Sequence, residues 1–334
     1  MWPSRSAGCG RHVRVVPVGV AVVNWNGRDD TLACVESLWA ADPRPARVAV
    51  VDNASTDDSV PAISAWIARH ADSGFEMLRS NENRGFAGAS NLALQHLASD
   101  AGLTHFFLLN NDAAVDAGCL AEIERALAEA PSTGIVGPTV FESGSARVWY
   151  AGGVVSKWRA FGRSYHEFPR GGARVAPTEF VSGCAMVISR RAWDLLGPLP
   201  ECYFMYFEDA EYCVRARGAG LEIGYAPRAV VHHRVAGTVD RGAVAAGLGE
   251  YRFAKSRALF ARRNLRGPIR WTALTYLVVA GFAKSVLRTI RGRPARAWAA
   301  FRGMLAGLLA IEGKREAPRP AAGQAAGERP LINQ

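Results

Sequence analysis

Four short stretches of this chain place acids, amides or imidazoles where apolar runs stop. Asp52-Asn53-Ala54-Ser55-Thr56-Asp57 follows Val48-Ala49-Val50-Val51, and Asn24 closes the apolar run 18–23. A carboxylate at the end of a buried strand is placed to accept hydrogen bonds from a ribose or base. Asn110-Asn111-Asp112 follows Leu108-Leu109. Carboxylate and amide oxygens suit hard cations such as Mg²⁺ or Mn²⁺, which can bridge the two phosphates of a nucleoside diphosphate. Glu208-Asp209-Ala210-Glu211 comes after the aromatic run 203–207. Acids crowded beside apolar bulk are desolvated and repel one another, which raises a carboxyl pKa and makes a general base. Val230-Val231-His232-His233 offers an imidazole ligand to the same metal. Neighbours on an extended chain point opposite ways, so one of the two histidines reaches it.

Each stretch has a plainer reading. Ser55, Thr56 and Asp57 fit a turn and a helix cap. Glu211 fits an acid favoured near a helix N-terminus. Gly85 and Gly88, in Asn83-Arg84-Gly85-Phe86-Ala87-Gly88-Ala89-Ser90-Asn91, open a helix whose N–H groups favour anions, with Arg84 adding charge. They equally fit a loop that needs glycine for its turn. His70, His96, His105 and His166 read as structural.

The elements that must hold these groups alternate. Strands are expected at 18–24, 47–52, 75–78, 105–110 and 134–136, with helices at 29–39, 59–70, 86–99 and 116–130. Runs apolar on both faces, separated by helices, imply a doubly wound, mostly parallel α/β sheet. Ligands of such sheets bind at the carboxyl ends of strands, where the polar groups gather. The middle third is Gly-rich, with strands at 148–155 and 185–189. A helix over 206–217 and a strand over 221–226 follow. Helices are expected at 241–264, 269–290 and 294–311, broken at Pro268 and Pro294. This gives an N-terminal segment 1–17, a catalytic domain 18–240, a basic helical extension 241–316 and a disordered tail 317–334.

Composition limits the function. With 334 residues, 49% apolar and 21% charged, the chain can bury a large core and is not disordered as a whole. Lys and Arg number 40 against 30 acids, and 15 of the cations but only two acids lie between 251 and 316. The six cysteines are widely spaced, which argues for a reducing compartment and against a zinc knuckle. The first residues lack the apolar core of a signal peptide. The longest charge-free apolar stretch of the extension, 271–283, falls short of the ~20 residues a spanning helix needs. The expectation is a cytoplasmic protein whose basic helices either rest on the inner face of the membrane or pack on the catalytic domain with their Arg side chains in water. No motif that reads nucleic acid accompanies the charge.

In this order the motifs resemble family 2 inverting glycosyltransferases, particularly the bacterial rhamnosyltransferase-like branch. They run from Val22-Val23-Asn24-Trp25-Asn26-Gly27 through Asp52–Asp57, Asn83–Asn91 and Leu109–Asp112 to Gly183-Cys184-Ala185-Met186 and Phe204–Asp209. The resemblance covers about residues 18–235 and implies a GT-A nucleotide-sugar fold with a C-terminal helical extension. It assigns donor contacts to Asn24, Asp52, Arg84, Asn91, Asn111 and Gly183. It gives Asp112 and His232 to the metal, Mg²⁺ or Mn²⁺, and makes Asp209 the catalytic base. Asn110 stands where a two-acid metal motif has its first carboxylate, and Pro200 where the family often has Asp. The implied partners are a nucleoside-diphosphate sugar and a glycan or lipid-linked acceptor, with rhamnose favoured by the resemblance. A nucleotidyltransferase would want a basic Gly-rich phosphate loop after the first strand, which Asn24-Trp25-Asn26-Gly27 does not supply. A non-catalytic glycan-binding module would not need the clustered acids.

Overall fold

The computed structural model describes residues 15–71, 74–168, 174–234 and 247–310. The first half runs β1 (Val15–Asn24), α1 (Arg28–Ala40), β2 (Arg44–Asn53), α2 (Ser59–Arg69), β3 (Phe75–Ser80), α3 (Gly85–Ala98), β4 (His105–Asn110), β5 (Ala113–Val115) and α4 (Cys119–Glu129). Then come β6 (Thr133–Glu142), β7 (Val148–Tyr150), β8 (Gly153–Ser156), β9 (Phe161–Ser164), β10 (Ala176–Pro177), β11 (Ala185–Ser189), α5 (Arg190–Leu196), α6 (Glu208–Gly218) and β12 (Glu222–His233). Three helices close the described chain: α7 (Leu248–Asn264), α8 (Gly267–Ile290) and α9 (Pro294–Leu309).

The main sheet has the order β10-β12-β6-β11-β4-β1-β2-β3, with β5 on β12 and β7 on β6. β3, β2, β1 and β4 are parallel, as the strand–helix alternation requires. β11 then enters antiparallel between β4 and β6, and β6 is parallel to β12. The sheet is therefore mostly parallel with an antiparallel insert. Phe106 to Leu109 of β4 are fully buried. Burial of each such side chain contributes roughly 1.5–3 kcal/mol, which makes this strand the centre of the core.

Register sets the functional edge. Asn24 pairs with Asp52, and Val23 with Asn110, so β1, β2 and β4 end level. β12 is longer than expected and carries the apolar run through to His233. Its last residues pair antiparallel with β5, His233 opposite Ala113 and His232 opposite Ala114. The strand directly after Asp112 is thereby laid against the histidines.

α7 is packed into the catalytic body. Phe207 stacks obliquely on Phe253 and Phe260 at ring distances of 5.4 and 5.5 Å. Ser256 donates to the Met205 carbonyl at 2.9 Å. α8 has 24 residues, longer than its charge-free stretch suggested, and is long and apolar enough to cross a membrane. Only 11% of its most apolar window is buried. The division drawn at 17 falls inside β1, which begins at Val15, whereas those at 240 and 316, the helix start at 241, the helix end at 311 and the expected tail lie outside the described residues.

Candidate active site

The floor of the site is an interlocked polar network. Asn24 donates through Nδ2 to Asp52 Oδ1 at 3.0 Å and to Ser55 Oγ at 3.1 Å. Its Oδ1 accepts from Thr31 Oγ1 at 2.8 Å, and Asn111 Nδ2 donates to the same Thr31 oxygen at 3.0 Å. Asp52 Oδ2 accepts from the Ser55 N–H at 3.1 Å. Asn24 is fully buried and Asp52 nearly so, and each of these groups has a partner. Satisfied buried networks rigidify a structure, and this one ties the ends of three strands together.

Asp112 leaves β4 and turns into β5. His233 Nε2 stands 3.1 Å from its Oδ1, and both side chains are largely buried. Burial would lower the imidazole pKa, but Cys184 and the Asp112 carboxylate outweigh it and raise the pKa above the ordinary histidine value. Among the described residues, Asp112 Oδ1 and His233 Nδ1 make no hydrogen bond. His232 is the ring that leaves the site. It contacts Asp116 at 2.9 Å, stacks on Phe141 and is about one-third exposed. His233, and not the expected His232, is thus the ring beside Asp112 on the cavity side, because β12 extends to 233 and neighbours on a strand point opposite ways. One carboxylate and one imidazole suit Mg²⁺ or Mn²⁺ if a diphosphate and water complete the shell. Among the described residues no group of three or more His, Cys, Asp or Glu makes a closed metal cage.

Asp209 sits in the first turn of α6. Tyr206 and Phe207 before it both adopt left-handed backbone, φ 71° and 72°. Such residues cost of order 1–3 kcal/mol each and persist where surrounding packing holds them. The turn aims Asp209 Oδ2 at the Gly183 N–H, 2.9 Å away, while Oδ1 accepts from Ala210 N–H at 2.7 Å. Burial raises the Asp209 pKa, and these N–H groups pull part of the shift back. Glu208 is raised well above the carboxylate range, by burial and then by Asp209. Its Oε2 has no hydrogen-bond partner among the described residues. Glu211 points elsewhere. It accepts from Arg263 Nη2 at 2.8 Å, Asn264 Nδ2 at 2.8 Å and Tyr203 Oη at 2.6 Å. It lies in the first turn of α6, as its sequence reading as a helix-start acid has it, and in addition forms a buried tie between α6 and α7.

These groups face one cavity of about 420 Å³. Asp112, His233, Asp209, Asn111 and Gly183 line it, between the aromatic walls of Trp25, Phe86, Trp149 and Phe204. Asn24, Asp52, Arg84 and Asn91, expected as donor contacts, are not among the residues that line this cavity. The first two are consumed by the floor network. Asn91 exchanges hydrogen bonds with the Leu199 backbone at 2.8 and 2.9 Å and donates to Glu201. Arg84 lies 3.5 Å from Glu201. Both hold the segment that leads to the aromatic run. Gly85 lies beneath that run, with φ +71°, and a Cβ there would meet the Phe204 carbonyl oxygen at 2.2 Å. The Phe86 N–H already donates to that carbonyl at 2.7 Å, so this helix end is not open to an anion at that group. Arg252 of α7 was not foreseen. It lines the cavity with its guanidinium 4.0 Å from the Phe204 ring centre. Its place in the sequence, among many tail cations, gave no signal.

Residues 19–196 match the model of Glycosyl transferase family 2. An N-acetylglucosaminyl-diphospho-decaprenol L-rhamnosyltransferase of Mycobacterium tuberculosis is 28% identical over 283 residues, 77% of this chain and 90% of the relative. A low-salt glycan biosynthesis hexosyltransferase, Agl10 of Haloferax volcanii, is 23% identical over 208 residues, 62% of this chain. That match spans 64% of the relative's own length. Among solved structures, the mannosyltransferase PcManGT of Pyrobaculum calidifontis, in complex with GDP-Man and Mn²⁺, has a TM-score of 0.56 at 19% identity, covering 88% of this chain and 87% of that one. S. aureus TarS 1–349 with UDP has a TM-score of 0.53 at 13% identity over 87% of this chain and 88% of that one. The architecture is thus the GT-A fold with added C-terminal helices, and the chain belongs to glycosyl transferase family 2.

Proposed function

We propose that this protein is an inverting glycosyltransferase, moving a sugar from a nucleoside-diphosphate donor to a glycan or lipid-linked acceptor. The carrying observation is that Asp209 and the Asp112–His233 pair line the same cavity. Asp209 is the base. Its raised pKa fits it to take the proton of the acceptor hydroxyl, and the Gly183 N–H fixes its carboxylate. The hydroxyl oxygen bonds to the anomeric carbon from the face opposite the nucleotide. The bond to the diphosphate breaks, and the leaving oxygen keeps the electron pair. Asp112 and His233 would hold a divalent cation that neutralises charge on the diphosphate. Asn24, Asp52 and Asn111 shape the floor beneath the nucleoside, and Arg84 and Asn91 act through the 199–201 segment. The mycobacterial relative's name supports rhamnose as the sugar and a diphospho-lipid-linked acceptor.

The exposed face of α8 supports a place at the inner surface of the cell membrane. Trp271, Val279, Phe282 and Ile290 are each more than 60% exposed. Lys and Arg near an anionic surface contribute ~1 kcal/mol each. The deciding experiment incubates the full chain with a panel of nucleotide sugars and prenyl-diphosphate-linked acceptors. Mass spectrometry and NMR of the product then give the mass added and the anomeric configuration. Inverted product made by the wild type and lost in Asp209→Asn is expected. Product that retains the donor's configuration rejects the displacement scheme.

A further inference from the structure

We propose that a second groove, between α7, α8 and α9, binds the diphosphate and the first isoprenoid units of the acceptor. This rests on the glycosyltransferase reading and names a subsite for its acceptor. The groove has a volume of about 490 Å³ and adjoins the catalytic cavity, since Tyr206 and Phe253 line both. Its walls are apolar, with Phe253, Leu277, Phe301 and Met304.

Four cations also line it, and they are not equivalent. Arg257 is spent on the carbonyls of Arg159 and Ala160. Arg296 faces Glu250 at 3.6 Å. Lys284 and Arg288 have no acidic partner among the described residues. They stand four residues apart on α8, one above the other on the same face. Two adjacent free cations at an apolar groove match a ligand that joins a multiply charged anion to a hydrocarbon chain. A neutral lipid would leave them unpaired.

The stripes of α8 give the direction of approach. Leu277, Gly281, Lys284, Ser285 and Arg288 recur at helical spacing and face the groove. Gly281 keeps this face open, because a Cβ there would lie 3.1 Å from Met304 Sδ. Val279, Phe282, Val286 and Ile290 form the opposite, exposed apolar face. α8 therefore separates the groove from the surface on which that face rests. A prenyl chain that leaves the bilayer around this helix brings its phosphates to Lys284 and Arg288 and its sugar towards Tyr206.

The test uses the purified full chain and farnesyl diphosphate, followed by calorimetry. Farnesol, inorganic diphosphate and phosphatidylglycerol vesicles serve as competitors. Nucleoside diphosphate binding is measured on the same samples. Saturable farnesyl diphosphate binding is expected, with farnesol and diphosphate each at least tenfold weaker. The double variant Lys284→Glu/Arg288→Glu and the groove-filling Gly281→Phe should each weaken it at least tenfold with unchanged circular dichroism. Binding unaffected by both variants, or displaced equally by phosphatidylglycerol vesicles, overturns the proposal. Nucleotide binding without farnesyl diphosphate binding removes the groove and leaves the transferase reading standing. Farnesyl diphosphate binding without any nucleotide binding does the reverse.

Discussion

His233 Nε2 lies 3.1 Å from Asp112 Oδ1, although the two residues are far apart in the sequence. The pairing of β12 with β5 makes this contact. If the pair holds the cation, His233→Ala should raise the Mn²⁺ concentration for half-maximal turnover by at least about tenfold. His232→Ala loses only an exposed pair, worth ~0–1 kcal/mol, and should leave the Mn²⁺ titration unchanged. Turnover measured against MnCl₂ for both variants checks this.

Asp209→Asn keeps the size of the side chain and removes its basicity. Turnover should fall by ~10²–10⁴-fold while the melting temperature stays close to wild type. In the wild type, the acid limb of the pH–rate profile should lie above the ordinary aspartate value of 3.8, because burial raises the Asp209 pKa. Rate is lost as pH falls through that raised value and the base takes up a proton. Initial rates in a constant-ionic-strength buffer series give the measurement.

Glu211 tests the tie between α6 and α7. Burial would raise its pKa, but the hydrogen bonds from Arg263, Tyr203 and Asn264 win and lower it below 4.5. A depressed carboxyl contributes stability that is fully present above its unfolded value and is lost as pH falls through its folded one. Urea midpoints should therefore show no loss from this group between pH 8 and 5, and a loss below about pH 4.5. Glu211→Ala leaves the partly buried Arg263 and the buried Tyr203 hydroxyl without their acceptor and should cost about 1–3 kcal/mol.

Gly85→Ala should separate folding from activity. The left-handed backbone costs roughly 1–2 kcal/mol with a side chain. The new Cβ must also push away the Phe204 carbonyl, and with it the turn that carries Asp209. A displacement of about 1 Å there costs on the order of 10²-fold in rate. Turnover should thus fall much further than the thermal midpoint. Loss of stability with unchanged specific activity would contradict the coupling.

The exposed face of α8 predicts membrane affinity. The full chain should float with anionic vesicles at low salt and less so at high salt. Val279→Asp/Phe282→Asp should sink it. Equal flotation of this variant and the wild type would show that the face does not touch lipid.

The cleft edge was legible in the sequence because strand ends announce themselves. Val48–Val51 and Phe106–Leu109 are apolar on both faces, and each stops at a polar residue. The acids that open α6 stood out against their aromatic neighbours in the same way. What stayed hidden depends on partners distant in sequence. That Arg84 and Asn91 bond to residues 199–201 could not be read from their own motif. The choice between His232 and His233 turned on how far β12 runs, and parity flips with one residue. Arg252 enters the cavity only because α7 docks on Phe207, which local pattern does not encode.

The antiparallel insert has a further meaning for substrate choice. The Asn110 N–H donates to the Cys184 carbonyl at 2.9 Å, and Gly183 next to it holds Asp209. Main-chain pairing thus links the strand before Asp112 to the residue that fixes the base. The sheet acts as a calliper, because backbone pairing and not side-chain packing sets how Asp112 and Asp209 stand to each other across the cavity. If a donor sugar sits between them, substitutions at the aromatic walls, Trp25, Trp149 and Phe204, should change which sugar is used while leaving that frame intact.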